Sequence, residues 1–333
     1  MTNRERVLAA LRFEKKAGVP HHMYFTQQAH DSVVRHTGDP GFERGLNNHI
    51  ETAYLNRPQQ PVRPLHDRDE FGVVWNKSGA DRDIGVIENI QIQDLDDLKR
   101  YRFPAVDEPF IRGEMEKLMA TPPTQFRVAA LGFSLFERAW TLMGMEALLC
   151  NMLLEQDLVH SLLGEICAWN QKVVAIALEY DVDCIHFGDD WGQQRGLIMG
   201  RPHWKEFVEP CLAKMYRQVR DAGKFVSQHS CGDLRDILDD LDRIGLDVYQ
   251  TFQPEIYGLE YAARLKGRVA VWGGISTQKD LPFRKPGEIG ALVEKTVRAF
   301  DGTGLILAPT HALPGDVPPE NIVALAEAFR RFE

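Results

Sequence analysis

The sequence predicts an α/β protein of the (β/α)8 TIM-barrel class, a single domain with an irregular N-terminal extension. Three observations carry that prediction. From residue 126 onward, short apolar runs alternate with longer segments of helical period. The runs are too apolar to have a wet face, which calls for parallel strands covered by helices. No G-x-G-x-x-G follows any of them, which removes the commonest dinucleotide-binding version of an open sheet. A length of 333 residues does not force two domains, because barrels of this class run to about 250 residues and beyond as one unit.

The chain opens on "MTNRERVLAALRFEKK", whose apolar positions recur at helical spacing with charges between them. That order is wrong for a secretory signal. The first strand is expected at "HHMYF" (21–25), and 67–104 reads as a hairpin-like insert and a short helix leading to Pro104. Residues 1–125 thus form a cover plus the first strand, and 126–333 the regular repeats. Further strands are expected at 126–132, 183–188, 224–229, 246–252, 268–274 and 304–309. Helices are expected near 144–180, with a break, and at 203–222, 232–244, 257–266, 287–300 and 318–332. No internal repeat or low-complexity linker marks a domain boundary.

Composition narrows the function classes. Hydrophobic residues make up 44% of the chain and charged residues 26%, the balance of a globular protein with a large core. Against 48 Asp and Glu stand 39 Lys and Arg, a formal net charge of -9 with no basic stripe. Nucleic acid and anionic membrane surfaces are poor partners for such a chain. No stretch approaches about 20 uninterrupted apolar residues, the length that spans a bilayer. The cysteines, 5 in all, are scattered and odd in number, which fits a reducing cytoplasm better than a disulfide framework.

The chemically unusual residues fall just after the expected strands. Gln27 and Gln28 follow the first, Glu137 the second, Asp189 and Asp190 the third, His229 and Cys231 the fourth, Gln250 and Gln253 the fifth, Ser276 the sixth and His311 the last. In a parallel barrel all of these belong to the face where active sites are built. Across a strand end, residues i and i+2 point to the same side, so His229 and Cys231 in "QHSCGD" can reach one ion, and imidazole with thiolate suits zinc. A bare H-x-C is a weak signal by itself; His311 on the same face strengthens it. In "GDDWG" adjacent carboxylates point in opposite senses, which allows one to cap a helix or turn and the other to serve chemistry. Glu137 is either an ion-pair partner of Arg138 or a site carboxylate, and His186 reads as a satisfied core histidine. Phe133, Phe136, Trp140, Trp191 and Phe252 either line a pocket or pack the core.

"QHSCGD", "VWGGIS", "FSLFERAW" and "APTHALPGDVPPENI" resemble the uroporphyrinogen decarboxylase-like superfamily of (β/α)8 barrels, most clearly over 126–332. That superfamily includes a porphyrinogen decarboxylase and zinc-dependent methyltransferases of corrinoid systems. The resemblance to the methyltransferase branch implies that His229 and Cys231 hold zinc. Counting back from Pro318 and Asn321 sets His311 where that branch has a later cysteine, giving His229, Cys231 and His311 as the implied ligands. The decarboxylase's arginine-bearing N-terminal segment corresponds here to "HHMYFTQQAHD", with Gln27 in place of an arginine. A polycarboxylate substrate would want arginine forks, so that activity is not expected.

Replacing a thiolate by neutral imidazole leaves a more positive centre, better suited to polarising oxygen. The resulting expectation is an O-demethylase component that moves the methyl group of a small methyl ether or methanol-like donor to a corrinoid (cobalamin) on a partner protein. Asp189, Asp190 and Glu137 would be catalytic, and Gln27, Trp191, Gln250, Gln253 and Phe133 would position substrate. Thiol methylation from a methylcorrinoid stands as the alternative, with a non-catalytic metal-binding barrel behind it. A second copy of the chain is left open as a partner.

Overall fold

The computed structural model describes residues 1–15, 18–79 and 85–333, so the middle of the expected 67–104 insert lies outside the described residues. Thirteen strands occur in chain order among them: β1 (Ile50–Tyr54), β2 (Gln60–Arg63), β3 (His66–Arg68), β4 (Val74–Asn76), β5 (Val86–Ile87), β6 (Phe126–Leu131), β7 (Cys184–Gly188), β8 (Gly192–Gln193), β9 (Gly196–Leu197), β10 (Phe225–His229), β11 (Val248–Phe252), β12 (Ala270–Ile275) and β13 (Leu305–Pro309). Seven form one parallel sheet in the order β1-β6-β7-β10-β11-β12-β13. Parallel neighbours require crossovers, and helices supply them on the outer surface. β2 to β5 make a separate antiparallel sheet, the hairpin-like insert, followed by the short helix Leu95–Arg100.

All six strands expected from residue 126 onward are present within two residues of the expected ends. The first is different. At 21–25 there is no regular strand, only parallel bridges His21 to Leu307 and Phe25 to Leu313. On the β1 side, the Asn48 side chain replaces a ladder: its Oδ1 accepts from Met23 N at 2.8 Å and its Nδ2 donates to Met23 O at 2.8 Å. The strand "IETAY" that is β1 went unpredicted, because Glu51 and Thr52 break its apolar run.

The helices correct other boundaries. The segment expected as 144–180 starts earlier, as Phe136–Met143, breaks at Gly144 with φ 89°, and continues as Met145–Leu154 and Gln156–Ala177. Residues 203–222 hold a π turn, Trp204–Val208, before Glu209–Asp221. Pro210, which has no N–H to give, sits just past that wider turn. Only Leu238–Ile244 of the expected 232–244 is helical, and 257–266 is split at Gly258 with φ 71°.

The large core lies between sheet and helices, with Phe187, Tyr216, Phe252 and Phe329 fully buried in it. A second cluster, including Val7, Ile50, Val128, Cys184, Val248 and Ile306, fills the inside of the curled sheet at its N-terminal end. It closes that end with apolar side chains and leaves the carboxyl ends of the strands for chemistry. No helix among the described residues is long and apolar enough to cross a membrane.

Candidate metal centre

Asp190, His229 and Cys231 meet at the carboxyl end of the sheet, their ligand atoms all within 4.8 Å of one another. β10 ends at His229, and Cys231 follows two residues later on the same side, as strand geometry requires. Neighbouring β7 ends at Gly188, which places Asp190 alongside. His229 Nε2 lies 3.4 Å from Asp190 Oδ1 and 3.7 Å from Cys231 Sγ. A tetrahedral ion with Zn–N and Zn–O near 2.1 Å and Zn–S near 2.3 Å sets its ligand atoms roughly 3.4–3.6 Å apart. Donor type and spacing therefore both fit zinc.

The turn that carries Cys231 is held from several directions. Asp190 Oδ1 accepts from Cys231 N at 2.7 Å, and Gln253 Oε1 accepts from Gly232 N at 2.7 Å. Tyr257 Oη accepts from Leu234 N and donates to Gly232 O, both at 2.9 Å. Gly232 has φ 87°, and a Cβ there would lie 2.3 Å from Gly192 C, so only glycine fits. Gln250 Oε1 faces His229 Nδ1 in a short hydrogen bond. An acceptor there keeps the proton on Nδ1 and leaves the Nε2 lone pair for a metal.

The carboxylates divide their roles. Asp189 is fully buried and accepts from Leu135 N (3.3 Å), Phe136 N (2.9 Å), Glu137 N (2.7 Å) and Trp191 Nε1 (2.6 Å). It caps the helix Phe136–Met143, the structural option of the aspartate pair. Burial raises it to about 6 against these donors. Burial would likewise raise Asp190, but the hydrogen bond and charge of His229 prevail and hold it below the usual range. Glu137 does not pair with Arg138, which binds Asp69 at 2.6 Å and covers the Phe71 ring at 4.0 Å. Burial, with Asp190 and Asp189 adding negative charge, pushes Glu137 up to about 8, so at neutral pH it keeps its proton.

Several expected site residues have other surroundings. His311 is exposed, its ring centroid 5.9 Å from that of His229, and it is not one of the three clustered donors. Asp190 joins His229 and Cys231 in the cluster because β7 adjoins β10 directly, whereas β13 lies on the other side of β11 and β12. Trp191 is no rim aromatic: it is fully buried against Trp204, with its indole on Asp189. The Gln253 carbonyl is spent on Gly232 and that of Gln250 on His229, so both support the ligand turn. Gln27 is exposed and donates to Asp31 Oδ1 at 2.8 Å, and Phe133 packs on Trp75. Ser276 caps its own turn, accepting from Lys279 N at 2.9 Å. His186 has the expected partner, with Nδ1 2.9 Å from Ser227 Oγ. Tyr24, which sequence reasoning missed, brings its hydroxyl 3.4 Å from Gln250 Nε2; it rides on the irregular segment, where no strand signal pointed inward.

Fold and site together define a parallel α/β protein that gathers a mixed carboxylate, imidazole and thiolate set, a candidate metal centre, where its strands end. The profile of the uroporphyrinogen decarboxylase (URO-D) family matches residues 80–332, and the chain belongs to that family. Among solved structures it is similar to a methyltransferase from Methanosarcina mazei, with a TM-score of 0.71 at 17% identity over 100% of this chain and 99% of that one. It is also similar to a B12-independent methionine synthase from Shewanella sp. W3-18-1, with a TM-score of 0.50 at 12% identity over 95% of this chain and 94% of that one. At such identities the likeness is one of fold. No curated protein sequence matches the chain.

Proposed function

We propose that the chain is a single closed (β/α)8 unit and a zinc-dependent methyltransferase that passes the methyl group of a small oxygen donor to a corrinoid on a partner protein. The observation that carries the oxygen reading is the Glu137 carboxyl beside the Asp190, His229 and Cys231 cluster, which burial and the neighbouring carboxylates raise above the usual carboxylate range. Those three side chains would hold zinc, which when bound supplies Lewis acidity toward an oxygen. Gln250 keeps His229 in the ligating tautomer. Reduced cobalt of the corrinoid takes the methyl group; the departing oxygen takes the Glu137 proton and leaves as an alcohol. The methyl acceptor comes from outside, because the sequence has no D-x-H-x-x-G corrinoid-binding segment.

One observation favours the thiol alternative. Asp190 as third donor restores the neutral overall charge that a His-Cys-Cys set has, and so removes part of the argument from ligand charge. The protonated Glu137 is the counterweight, since a thiolate acceptor has no use for a proton donor beside it. The test mixes zinc-loaded protein, a reduced corrinoid protein and a panel of methanol, methyl ethers and methylated thiols, and follows the cobalt spectrum. Methylation of cobalt from oxygen donors, reduced at least 100-fold by Glu137→Gln, supports the proposal. Turnover with thiols alone overturns it.

A further inference from the structure

On the helix side of the sheet, two tyrosines grip the turn that carries Cys231. Tyr249 and Tyr257 are buried in the core between sheet and helices, and Phe252 stacks on the Tyr257 ring at 5.1 Å between centroids. Hydroxyls buried in this way need partners within the protein. Tyr249 Oη lies 3.1 Å from Ser230 O and 3.0 Å from Tyr257 Oη. Tyr257 Oη lies 2.9 Å from Gly232 O and accepts from Leu234 N. A carbonyl can only accept, so the Tyr257 proton is committed to Gly232 O, and the Tyr249 proton is shared between Ser230 O and Tyr257 Oη. The two hydroxyls therefore act as one unit.

What they hold is the backbone on either side of Cys231. Ser230 O is held by Tyr249, and the N–H of the same peptide unit, that of Cys231, donates to Asp190 Oδ1 at 2.7 Å. That oxygen is also the one 3.4 Å from His229 Nε2. The Ser230–Cys231 peptide is thus pinned between a tyrosine and a candidate metal donor. Because a peptide unit is planar, a tilt of the carbonyl draws the N–H off Asp190 and turns the Cα–Cβ bond of Cys231. Beyond Cys231, Gly232 O and Leu234 N are both fixed by Tyr257.

We propose that Tyr249 and Tyr257 are positioning residues for the metal centre, their paired hydroxyls setting the direction of the Cys231 thiolate and of Asp190 relative to His229. This role rests on the zinc reading and deepens it. Phenylalanine would fill the same space, so the hydroxyls rather than the rings are what the turn requires.

Cobalt(II) in place of spectroscopically silent zinc tests the role, since its d–d bands follow coordination geometry and its charge-transfer band follows the cobalt–thiolate bond. The metal is titrated into wild type, Tyr249→Phe, Tyr257→Phe and the double variant. The expected result is a thiolate band in wild type, with moved d–d bands and about ten-fold weaker cobalt binding in each single variant, the size of a lost outer-shell support. Because the hydroxyls share a hydrogen bond, the double variant loses less than the product of the two. Tyr101→Phe removes a hydroxyl that donates to Phe71 O at 2.7 Å rather than to the turn, and keeps the wild-type spectrum. Should Tyr257→Phe fail to fold, Tyr249→Phe, which leaves the Gly232 and Leu234 contacts in place, carries the test. Wild-type bands and affinity in folded Tyr249→Phe overturn the proposal, as do bands moved equally by Tyr101→Phe. A wild-type protein without the thiolate band overturns the zinc reading itself, and the role of the tyrosines falls with it.

Discussion

Three side chains make up the candidate metal centre, and they were unequally visible in the sequence. His229 and Cys231 could be paired because strand alternation fixes the direction of residues i and i+2. The third donor could not be chosen, since that depends on which strands adjoin. Asp190 comes from the neighbour of β10, and His311 from a strand two places further along than β11. Zinc content measured after each substitution separates them: Cys231→Ser and Asp190→Asn should each strip most of the metal, while His311→Ala retains it. Glu137 gives a pH test. Its carboxyl titrates near 8 in the folded protein against about 4.5 in the unfolded chain, so the folded state binds the extra proton. Stability from this group is fully present below about 4.5 and is lost as pH rises through about 8. In metal-free protein, melting temperatures across that window should fall more steeply for wild type than for Glu137→Gln; parallel curves would disprove the assignment.

At the scale of elements, the strands between 126 and 309 were legible because each is a continuous apolar run bounded by polar or turn residues. The segment 21–25 reads as a strand but pairs only through Asn48 and isolated bridges, and β1, which pairs with β6 along its whole length, was hidden because Glu51 and Thr52 break its apolar run. Asn48→Ala removes two buried-backbone contacts at once and should cost about 1–3 kcal/mol in chemical denaturation, with faster hydrogen exchange at Met23. The ligand turn is equally exacting. Gly232→Ala combines a left-handed φ with a Cβ 2.3 Å from Gly192 C, and should cost about 2 kcal/mol or more while lowering zinc affinity, because the turn must move to admit a methyl group. Unchanged stability and zinc binding in that variant would mean that the turn is softer than its packing implies.

In the whole molecule, the buried ion pair Arg138 to Asp69 joins the antiparallel insert to the parallel unit, alongside the packing of Trp75 on Phe133 and Trp140. The sequence offered Arg138 as a partner of Glu137, since adjacency in the chain is visible and the reach of a separate sheet is not. Breaking a buried pair from one side costs about 3–5 kcal/mol, so Arg138→Ala should leave the insert open to limited proteolysis between β2 and β5. The free thiols carry a last consequence. Cys167, Cys184 and Cys211 are buried, Cys150 is exposed on an outer helix, and Cys231 is half-buried beside Asp190 and His229. An alkylating reagent applied to the native protein therefore meets two addresses, of which only one can be masked by an ion. Labelling at Cys150 gauges the reagent, and the ratio of Cys231 to Cys150 labelling reads occupancy directly, so that a mass spectrum can follow the gain or loss of metal in a crude extract before any activity has been assayed.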